Sequence, residues 1–447
     1  QKIVVGNYFK GETRPALTSK DGATLAGHIV DALTGHVHYA QANTAAPAAG
    51  QVIGNVLKLS GSATAIRNGV SIELHIGDAI QKGDVIQTGS DSSIGMTFVD
   101  GSAFGMTSNA RMVMNEMIYD PNGSSNSSLI SLVQGTITAS GGANVGGLAG
   151  ISQGSTSIVG SSANVAVTGA TNVGGFVGSN EDTSSITSST AAGTVTGTTA
   201  VGGFVGSNST ATVGQTTTGI TVSSATGNVS GDTNVGGFAG VQNNGYLNNV
   251  NASGTVTGTG AGTSIGGLLG YNVVGSTVTN SYATGIVSAS GSTNVGGVIG
   301  QNSGNASVLR HTGGTVTGGN ETGGVIGLNQ GGHVSQVYNT ADVNGIQFVG
   351  GVVGENGSGG IGGTIDQAFN TGAVSGAFFV GGVAGANTNA IGVTGADLPT
   401  ISNSYSTGSV TASAYAAGGV VGLADPGNGS VLTNVYASGA VTGPSAG

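Results

Sequence analysis

The sequence predicts an all-β protein: a β-solenoid capped by a small amino-terminal β domain. One observation is a short core, Val-Gly-Gly-Φ-Φ-Gly with Φ apolar, that returns ten times at spacings of 27 to 37 residues. A second is the scarcity of helix formers such as Leu, Glu and Lys. Recurrence with this period is typical of repeat architectures, in which stacked copies share one apolar core. The cores begin at Val145, Val173, Val201, Val235, Ile265 and Val295, with weaker copies at Thr322, Val349, Val380 and Ala417.

Each repeat has three parts, and each part reads as a short strand. The core is followed by a Val- and Thr-rich segment such as residues 277–285, and then by a Gly-x-Val-x-Gly segment such as residues 193–197. Segments of this length and composition, bounded by Gly, Asn and Ser, are typical of strands. The sequence therefore predicts about ten coils of three strands each. Coils stacked about 4.8 Å apart give a rod roughly 50 Å long.

Two sets of side chains recur in register along the predicted rod. An amide residue stands seven positions after the first residue of eight of the ten cores, and an aromatic residue recurs in the second strand. Stacked amides can hydrogen-bond along the axis, and stacked rings can pack between coils. We favour packing, although the same residues could line a sugar-binding groove. The amides are Asn180, Asn208, Gln242, Asn272, Asn302, Asn329, Asn356 and Asn387; the aromatics are Tyr282, Tyr338, Phe369, Tyr405 and Tyr436.

The fourth residue of each core is expected to point outward. If the core is one strand, alternation puts its first, third and fifth residues inside and its fourth outside. That arrangement predicts an apolar stripe along the rod, covered by another chain or by the amino-terminal domain. The stripe consists of Leu148, Phe176, Phe204, Phe238, Leu268, Val298, Val325, Val352, Val383 and Val420.

Residues 1–50 form a predicted amino-terminal extension. Residues 2–6 and 27–31 have strand character, with a short helix over residues 24–34 as the alternative, and residues 44–50 have linker composition. His36 and His38 would share one face of a strand, but no third ligand follows at a suitable spacing. We therefore expect no metal site there.

Residues 51–140 form a predicted β domain with turns at Gly and Asp. Asp78, Asp84 and Asp100 could bind Ca²⁺ or act as acids and bases, but no partner base or nucleophile accompanies them, so we expect turn residues. The five methionines, between Met96 and Met117, are expected to fill its core. The segment Gly135-Thr136-Ile137-Thr138 copies the last strand of a repeat, which predicts that this domain runs directly into the first coil of the third region, residues 141–447, and caps it.

The composition of the chain argues against some classes of binding partner. The chain has 447 residues, no Cys and a net charge of −10, of which residues 141–447 carry −8 with Arg310 as their one basic residue. Such a surface is a poor partner for nucleic acid or anionic lipid. No apolar run is long enough to span a membrane, and no signal-peptide core is present. Because the first residue is Gln, we expect a processed chain or a fragment.

Two parts of the chain resemble known families. The ten cores of residues 141–447 are similar to the GLUG repeat of large bacterial surface and secreted proteins, which include adhesins and some immunoglobulin A-cleaving peptidases. Residues 51–134, with the order Gly-Asp, Gly-Asp, Thr-Gly and Asp-Gly, resemble a FecR-type domain. The resemblance implies an exported, surface-associated bacterial protein. It supplies no catalytic residue, and no His-Glu-x-x-His occurs.

No pattern in the sequence indicates catalysis or a cofactor. The acidic residues of the repeats fall at unlike places, which favours solvated side chains over a paired active site. The leading hypothesis is a non-enzymatic extracellular protein that assembles head to tail, the carboxyl-terminal coil pairing with the amino-terminal region of the next copy. The alternative is a monomeric adhesin or stalk that binds a glycan or a host surface. The acidic residues are Glu181, Asp182, Asp232, Glu321, Asp342, Glu355, Asp366, Asp397 and Asp425.

Overall fold

The computed structural model describes most of the chain from residue 50 onward. Its described residues are built of β-strands and contain no helix. They are residues 17–18, 24–25, 50–99, 103–106, 108–118, 127–134, 137–140, 142–154, 156–209, 219–388, 398–424 and 429–444.

The repeats form a β-solenoid of four parallel sheets, with nine full turns from the first core to the tenth. The first sheet holds the beginning of each core, and the second sheet holds its end. Strands of the first sheet are Ala143–Gly146, Thr171–Gly174, Thr199–Gly202, Thr233–Gly236, Thr263–Gly266, Thr293–Gly296, Thr322–Gly323, Phe348–Gly350, Phe379–Gly381 and Ala416–Gly418. Those of the second are Ala149–Ser152, Val177–Glu181, Val205–Ser209, Ala239–Asn243, Leu269–Asn272, Ile299–Asn302, Ile326–Asn329, Val353–Asn356, Ala384–Asn387 and Val421–Ala424.

The third and fourth sheets complete each coil. The third is split into short pairs in the early coils and continuous from Thr277 onward. Its strands are Ser157–Val159, Ser162–Ala163, Ser185–Thr187, Thr190–Ala191, Ile220–Thr221, Ser224–Ala225, Tyr246–Asn248, Asn251–Ala252, Thr277–Ala283, Asn305–His311, His333–Asn339, Thr364–Asn370, Thr400–Ser406 and Val431–Ala437. Strands of the fourth are Ile137–Ser140, Val165–Thr168, Val195–Thr196, Val229–Gly231, Val256–Gly258, Val287–Ala289, Thr315–Gly318, Asp342–Asn344, Val374–Gly376, Val410–Ala412 and Val441–Thr442.

The core bends sharply, so a coil has four strands rather than the three predicted. Backbone packing at the core glycines explains the bend. A Cβ added at Gly202 would lie 2.0 Å from the Val205 carbonyl oxygen, and one at Gly203 would lie 2.1 Å from the Gly237 carbonyl oxygen. At Gly206 it would meet the Asn172 carbonyl carbon at 2.3 Å. Only glycine lets the backbone come this close, both where the first and second sheets meet within a coil and between adjacent coils.

The prediction that the fourth core residues form an outward-facing apolar stripe is wrong. Because the chain bends at the Gly-Gly pair, the fourth core residue turns into the coil. Phe176, Phe204 and Phe238 are fully buried and stack with ring centroids 4.6 and 4.7 Å apart. The later members Leu268, Val298, Val325, Val352 and Val383 are also fully buried, while Leu148 and Val420 at the two ends are partly buried.

The amino-terminal region is a small antiparallel β structure that continues the solenoid. One five-stranded sheet has the order Ser127–Gln134, Arg111–Ile118, Val85–Thr88, Ala63–Arg67 and Val70–Glu73. Four further strands, Ala103–Met106, Ser93–Phe98, Val52–Ser60 and Ala79–Gln81, extend the fourth sheet of the solenoid.

The predicted join is confirmed. Ile137–Ser140 pairs antiparallel with Ala103–Met106 on one side and parallel with Val165–Thr168 on the other. Ser127–Gln134 also contacts Ala149–Ser152, the first strand of the second sheet. This region therefore covers the beginning of the solenoid.

Several predictions for the first region concern residues that the structure does not describe. The strands at residues 2–6 and 27–31, the linker, His36 and His38 all lie outside the described residues. Thr24–Leu25 pairs with Leu17–Thr18 as a strand. The alternative helix over residues 24–34 is therefore wrong at its start.

Candidate functional site

The tenth coil presents inner residues that no other described residue covers. Leu432 is 40% exposed, whereas Ile401, its counterpart one coil earlier, is fully buried. Val441 is 46% exposed, and its counterpart Val410 is 1% exposed. We call this surface the open end: the strands Ala416–Gly418, Val421–Ala424, Val431–Ala437 and Val441–Thr442, each the last described strand of its sheet.

The open end combines apolar surface with strand edges that lack a neighbour among the described residues. A bare strand edge offers N–H and C=O groups for pairing with another strand. The opposite end of the fourth sheet continues into the amino-terminal region, as described above. The two ends of the described solenoid therefore differ in chemistry.

An aromatic column runs along the outer face of the third sheet to the open end. The rings of Tyr338 and Phe369 stack 4.9 Å apart, those of Phe369 and Tyr405 5.4 Å apart, and those of Tyr405 and Tyr436 5.0 Å apart, all within 7° of parallel. The predicted stacking is thus confirmed for these four. Sequence reasoning missed the role of Arg310, which occupies the column position between Tyr282 and Tyr338. Its guanidinium lies 4.5 Å from the Tyr282 ring centroid.

Stacking of this kind bears on the predicted sugar-binding alternative. Aromatic rings hold sugars through their faces, but here each ring face within the column is covered by the next ring. The column therefore shows mainly ring edges to solvent. Tyr436 is the exception: it is 56% exposed, and its face toward the open end has no described neighbour.

A second aromatic group lies beside the open end, at the corner between the fourth and first sheets. Phe348 and Phe379 stack 5.5 Å apart, and Tyr415 packs edge-on against Phe379 at 5.0 Å. Tyr415 is 63% exposed, and Phe378 beside it is 43% exposed. The apolar surface of the open end thus extends onto the side of the last two coils.

The predicted amide ladder is present inside the solenoid, and all eight members are fully buried. Each Asn before Asn387 donates through Nδ2 to the amide of the next coil: Asn272 to Asn302 at 2.7 Å and Asn302 to Asn329 at 2.8 Å, for example. The ladder is interrupted once, where Gln242 Nε2 and Asn272 Oδ1 are both without a partner. Near the open end, Asn387 donates instead to the Pro399 carbonyl at 3.2 Å, because Ala424 occupies the next position.

A second buried polar column was not predicted. Asn339 and Asn370 lie at the end of the third sheet, where earlier coils have Ala, and Asn339 donates to Asn370 at 2.9 Å. His311 occupies the same column and contacts the Gly285 carbonyl through Nε2 at 3.1 Å. Burial lowers the pKa of this imidazole. The signal in the sequence was a polar residue immediately after four successive column positions, those of Arg310, Tyr338, Phe369 and Tyr405.

Two acidic residues predicted to be solvated are instead half-buried near each other. Glu321 precedes the seventh core, and Glu355 lies in the second sheet of the eighth coil. Burial raises the pKa of both carboxyls, and the negative charge of Glu321 adds to the effect at Glu355, whose pKa rises to about 7. Thr388 Oγ1 donates to Glu355 at 3.2 Å. No third acid, His or Cys completes a metal-binding group among the described residues.

The aspartates of the amino-terminal region occupy turns, as predicted. Asp84 is fully buried, accepts two hydrogen bonds from Arg67 at 2.8 and 2.9 Å, and caps the turn by accepting from the Gln81 N–H. Asp78 accepts from the His75 N–H at 2.7 Å. Asp100 lies outside the described residues. Met96, Met106, Met112 and Met114 are buried in the core, as predicted.

The match to a known family falls on one coil. Residues 169–196 match the GLUG motif. These residues contain Val173, Gly174, Gly175 and Gly178, so the motif covers the bent core and the three short strands that follow it. This motif match and the β-solenoid with ten copies of the core fit a GLUG-repeat protein.

Other comparisons add little. No curated protein matches this sequence. Among solved structures, the chain is similar to an IgA1 protease at 12% sequence identity and a TM-score of 0.28, over 81% of this chain and 29% of that one. The chain thus spans less than a third of that protein's length, and a likeness this weak carries no argument. In the described part of the chain, no helix has the length and apolar character of a membrane span.

Proposed function

We propose that this protein is a structural, non-enzymatic surface protein of a bacterium that assembles head to tail through its GLUG-repeat solenoid. The observation that carries the proposal is the exposure of Leu432 and Val441 at the open end, in columns that are otherwise buried. Covering two such side chains contributes roughly 1–3 kcal/mol each. Unpaired strand edges add directional hydrogen bonds.

Unlike ends favour an open polymer over a closed dimer. A contact between two different surfaces of the same chain repeats without closing, which generates a filament. The open end differs from the end that the amino-terminal region covers. We infer that the receiving surface is the open end of one copy and that the donor is the amino-terminal region of the next.

The alternative, a monomeric adhesin that binds glycans, has less support. Its best candidate surface, the aromatic column, has its ring faces covered by one another. Enzymatic function likewise has little support: among the described residues, no His, Cys or further acid is grouped with Glu321 and Glu355. We propose that residues 51–134 act as a FecR-like cap that joins the solenoid to a neighbour, consistent with their strands continuing the fourth sheet.

The proposal is tested by placing charge at Leu432 and Val441, the two inner positions exposed at the open end. Leu432→Lys together with Val441→Lys should leave melting of the isolated chain nearly unchanged, because both side chains are already partly exposed. The same change should abolish long assemblies in negative-stain microscopy and sedimentation, since association would bury two ammonium groups without partners.

Matched controls are Thr433→Lys and Thr442→Lys, which put the same charges in the same strands. Thr433 and Thr442 are exposed neighbours of the two inner residues. These controls should still assemble. Normal filaments from the inner-column variant, or a monomer from the unaltered chain at high concentration, would contradict the proposal; in the second case, glycan-array binding would favour the adhesin.

A further inference from the structure

One inner position of the third sheet changes chemistry part-way along the solenoid. In the first five coils it is Ala. From the sixth coil to the ninth it is polar, and in the tenth it is Ala again. Because alanine fills this position in most coils, the repeat itself does not require a polar group there. The residues are Ala163, Ala191, Ala225, Ala252 and Ala283, then His311, Asn339, Asn370 and Ser406, then Ala437.

His311 is the titratable member of this column, and it is fully buried. Its Nε2 lies 3.1 Å from the Gly285 carbonyl oxygen. A carbonyl can only accept a hydrogen bond, so Nε2 carries the hydrogen and Nδ1 of the neutral ring is an acceptor. Among the described residues, Nδ1 has no hydrogen-bond partner.

The residues around Nδ1 offer it neither a donor nor space. Asn339, its neighbour in the seventh coil, donates its two amide hydrogens to the Ala341 carbonyl at 2.7 Å and to Asn370 at 2.9 Å. A Cβ added to Gly297 would lie 2.7 Å from Nδ1, so the backbone of the sixth core packs against this side of the ring. The imidazole is therefore enclosed in the core with one polar atom unsatisfied.

Within the described part of the chain, no charged side chain faces this imidazole. Neighbouring strands of the third sheet carry their titratable residues on the outer face or at an exposed end. Those of the first, second and fourth sheets contain none, and the acid just before the seventh core acts on Glu355 instead. The titratable residues of the packed elements are Arg310 on the same strand, Tyr282, His333 and Tyr338 on the neighbouring strands, and Glu321 before the seventh core.

We propose that His311 makes the sixth and seventh coils an acid-sensitive segment of the solenoid. A proton taken up from solvent at Nδ1 turns the ring into an imidazolium inside the core, where burying a charge without a counter-charge costs free energy. The Asn339 side-chain oxygen already accepts from the Ala341 N–H at 3.1 Å, so it compensates only part of that cost. The segment relieves the rest by opening locally, which brings the imidazolium into water. This opening does not require head-to-tail assembly.

The direction of the pH dependence follows from burial of the ring. Burial lowers the pKa of the folded imidazole below its ordinary value of 6.5, and the two effects that oppose it are hydrogen bonds, with Gly285 and Asn339, rather than a charge. The open state therefore binds protons more readily, so closure is fully favoured above pH 6.5 and weakens as pH falls toward the folded pKa. Within that window the equilibrium constant for opening rises by up to about tenfold per pH unit.

Two other groups titrate with the opposite slope. The pKa values of Glu321 and Glu355 are raised by burial, so their contribution to stability increases as pH falls. The pH profile of the unaltered chain is therefore a sum of opposing effects. Comparison with a variant at the same pH isolates the imidazole, because both carboxyls are present in each chain.

The test compares the unaltered full-length chain with His311→Asn, in which the column continues with the neutral amide of the next two coils. Amide hydrogen exchange and urea denaturation are measured at about pH 7.5 and about pH 5. At the lower pH, residues 305–311 and 333–339 of the unaltered chain should exchange roughly tenfold faster than those of the variant. The matched control is His333→Asn, which removes an exposed histidine one coil away and should keep the acid sensitivity.

Titration of the His311 ring by nuclear magnetic resonance, in the unaltered chain, gives a measurement that does not depend on a variant folding. The ring should titrate below pH 6.5; titration at or above that value would contradict the proposal. Equal pH profiles for the unaltered chain and His311→Asn would also contradict it, as would loss of acid sensitivity in His333→Asn. Faster exchange spread evenly over all described coils would overturn local opening. His311→Ala, with the residue of the first five coils, repeats the comparison if His311→Asn does not fold.

Discussion

At the scale of single residues, the buried amides of the ladder hydrogen-bond between neighbouring coils, except between Gln242 and Asn272 and beyond Asn387. Asn302 accepts from Asn272 and donates to Asn329 and to the Gly304 carbonyl at 3.2 Å. Asn302 is fully buried, so water cannot replace a hydrogen bond that is lost there. Loss of one amide therefore leaves groups on two adjacent coils unsatisfied.

Replacing Asn302 tests the ladder. Asn302→Leu should lower the free energy of unfolding by about 1–3 kcal/mol for each group left unsatisfied. The double variant Asn272→Leu with Asn302→Leu should also be destabilised. Thermal and urea denaturation measure the change. Asn305→Leu is the control, because Asn305 is exposed in the same coil, and it should change stability by less than about 0.5 kcal/mol. Equal melting of both variants would contradict the ladder's contribution.

The half-buried carboxyl of Glu355 predicts a pH dependence. Its pKa in the folded protein is about 7, above the ordinary value of 4.5. The folded state therefore binds more protons than the unfolded state between these values, so stability is highest below about pH 4.5 and falls as pH rises toward 7. A shift of this size corresponds to about 3 kcal/mol at most.

Glu355→Gln should remove most of that fall. We expect the variant to be more stable than the original at pH 8 and similar to it at pH 4, as measured by urea denaturation across the range. Asp366→Asn is a useful comparison: hydrogen bonds from Ser402 and Asn403 lower the pKa of Asp366, the opposite direction. A parallel pH profile for Glu355→Gln and the original chain would be inconsistent with a raised pKa at Glu355.

At the scale of one element, the bent core determines the shape of the coil. Its glycines lie where the first and second sheets meet, and backbone atoms occupy the space that a side chain would need. Its apolar fourth residue then fills the interior, as the stack of Phe176, Phe204 and Phe238 shows. Bend and stack depend on each other, because only a bent core turns this residue inward.

Gly203→Ala tests the bend. The added Cβ would lie 2.1 Å from the Gly237 carbonyl oxygen, a contact with rigid backbone. We expect the change to cost more than about 3 kcal/mol or to prevent folding, since the two adjacent coils cannot move apart at the bend without loss of the hydrogen bonds between them. Gly142→Ala is the control: nothing lies within 4 Å of its added Cβ. Near-normal melting of Gly203→Ala, measured by circular dichroism, would show that adjacent coils can separate at the bend.

At the scale of the whole molecule, net charge opposes association between copies, whereas exposed apolar surface favours it. The chain has a net charge of −10, so copies repel each other weakly. The open end is apolar, and its residues Leu432, Tyr436 and Val441 are exposed. Salt screens charge repulsion but hardly weakens apolar contacts.

The proposed assembly should therefore strengthen with salt. Raising NaCl from about 50 to about 500 mM should lower the concentration at which filaments form, as measured by light scattering and sedimentation, because screening removes repulsion between copies. The variant Leu432→Lys with Val441→Lys is the negative control and should stay dispersed at both salt concentrations. Filaments that dissolve as salt rises would indicate an ionic contact instead of the apolar one.

The sequence by itself determined the solenoid, the register of its coils, the amide ladder and most of the aromatic column. These features depend on recurrence: when residues return at the same place in every repeat, stacking brings them together whatever the details of the coil. The turn positions of Asp78 and Asp84 were predictable for a similar reason, since Gly-Asp pairs encode turns locally.

Tertiary structure decided what depends on backbone direction and burial. Alternation along a straight strand predicted that Phe204 points outward, but the bend at Gly202 and Gly203 reverses its direction. Likewise, Glu321 and Glu355 are separated by more than a coil in sequence, so only stacking shows that they share a half-buried environment. Side-chain direction and desolvation are set by which backbones pack together, and the spacing of residues along the chain does not carry that information.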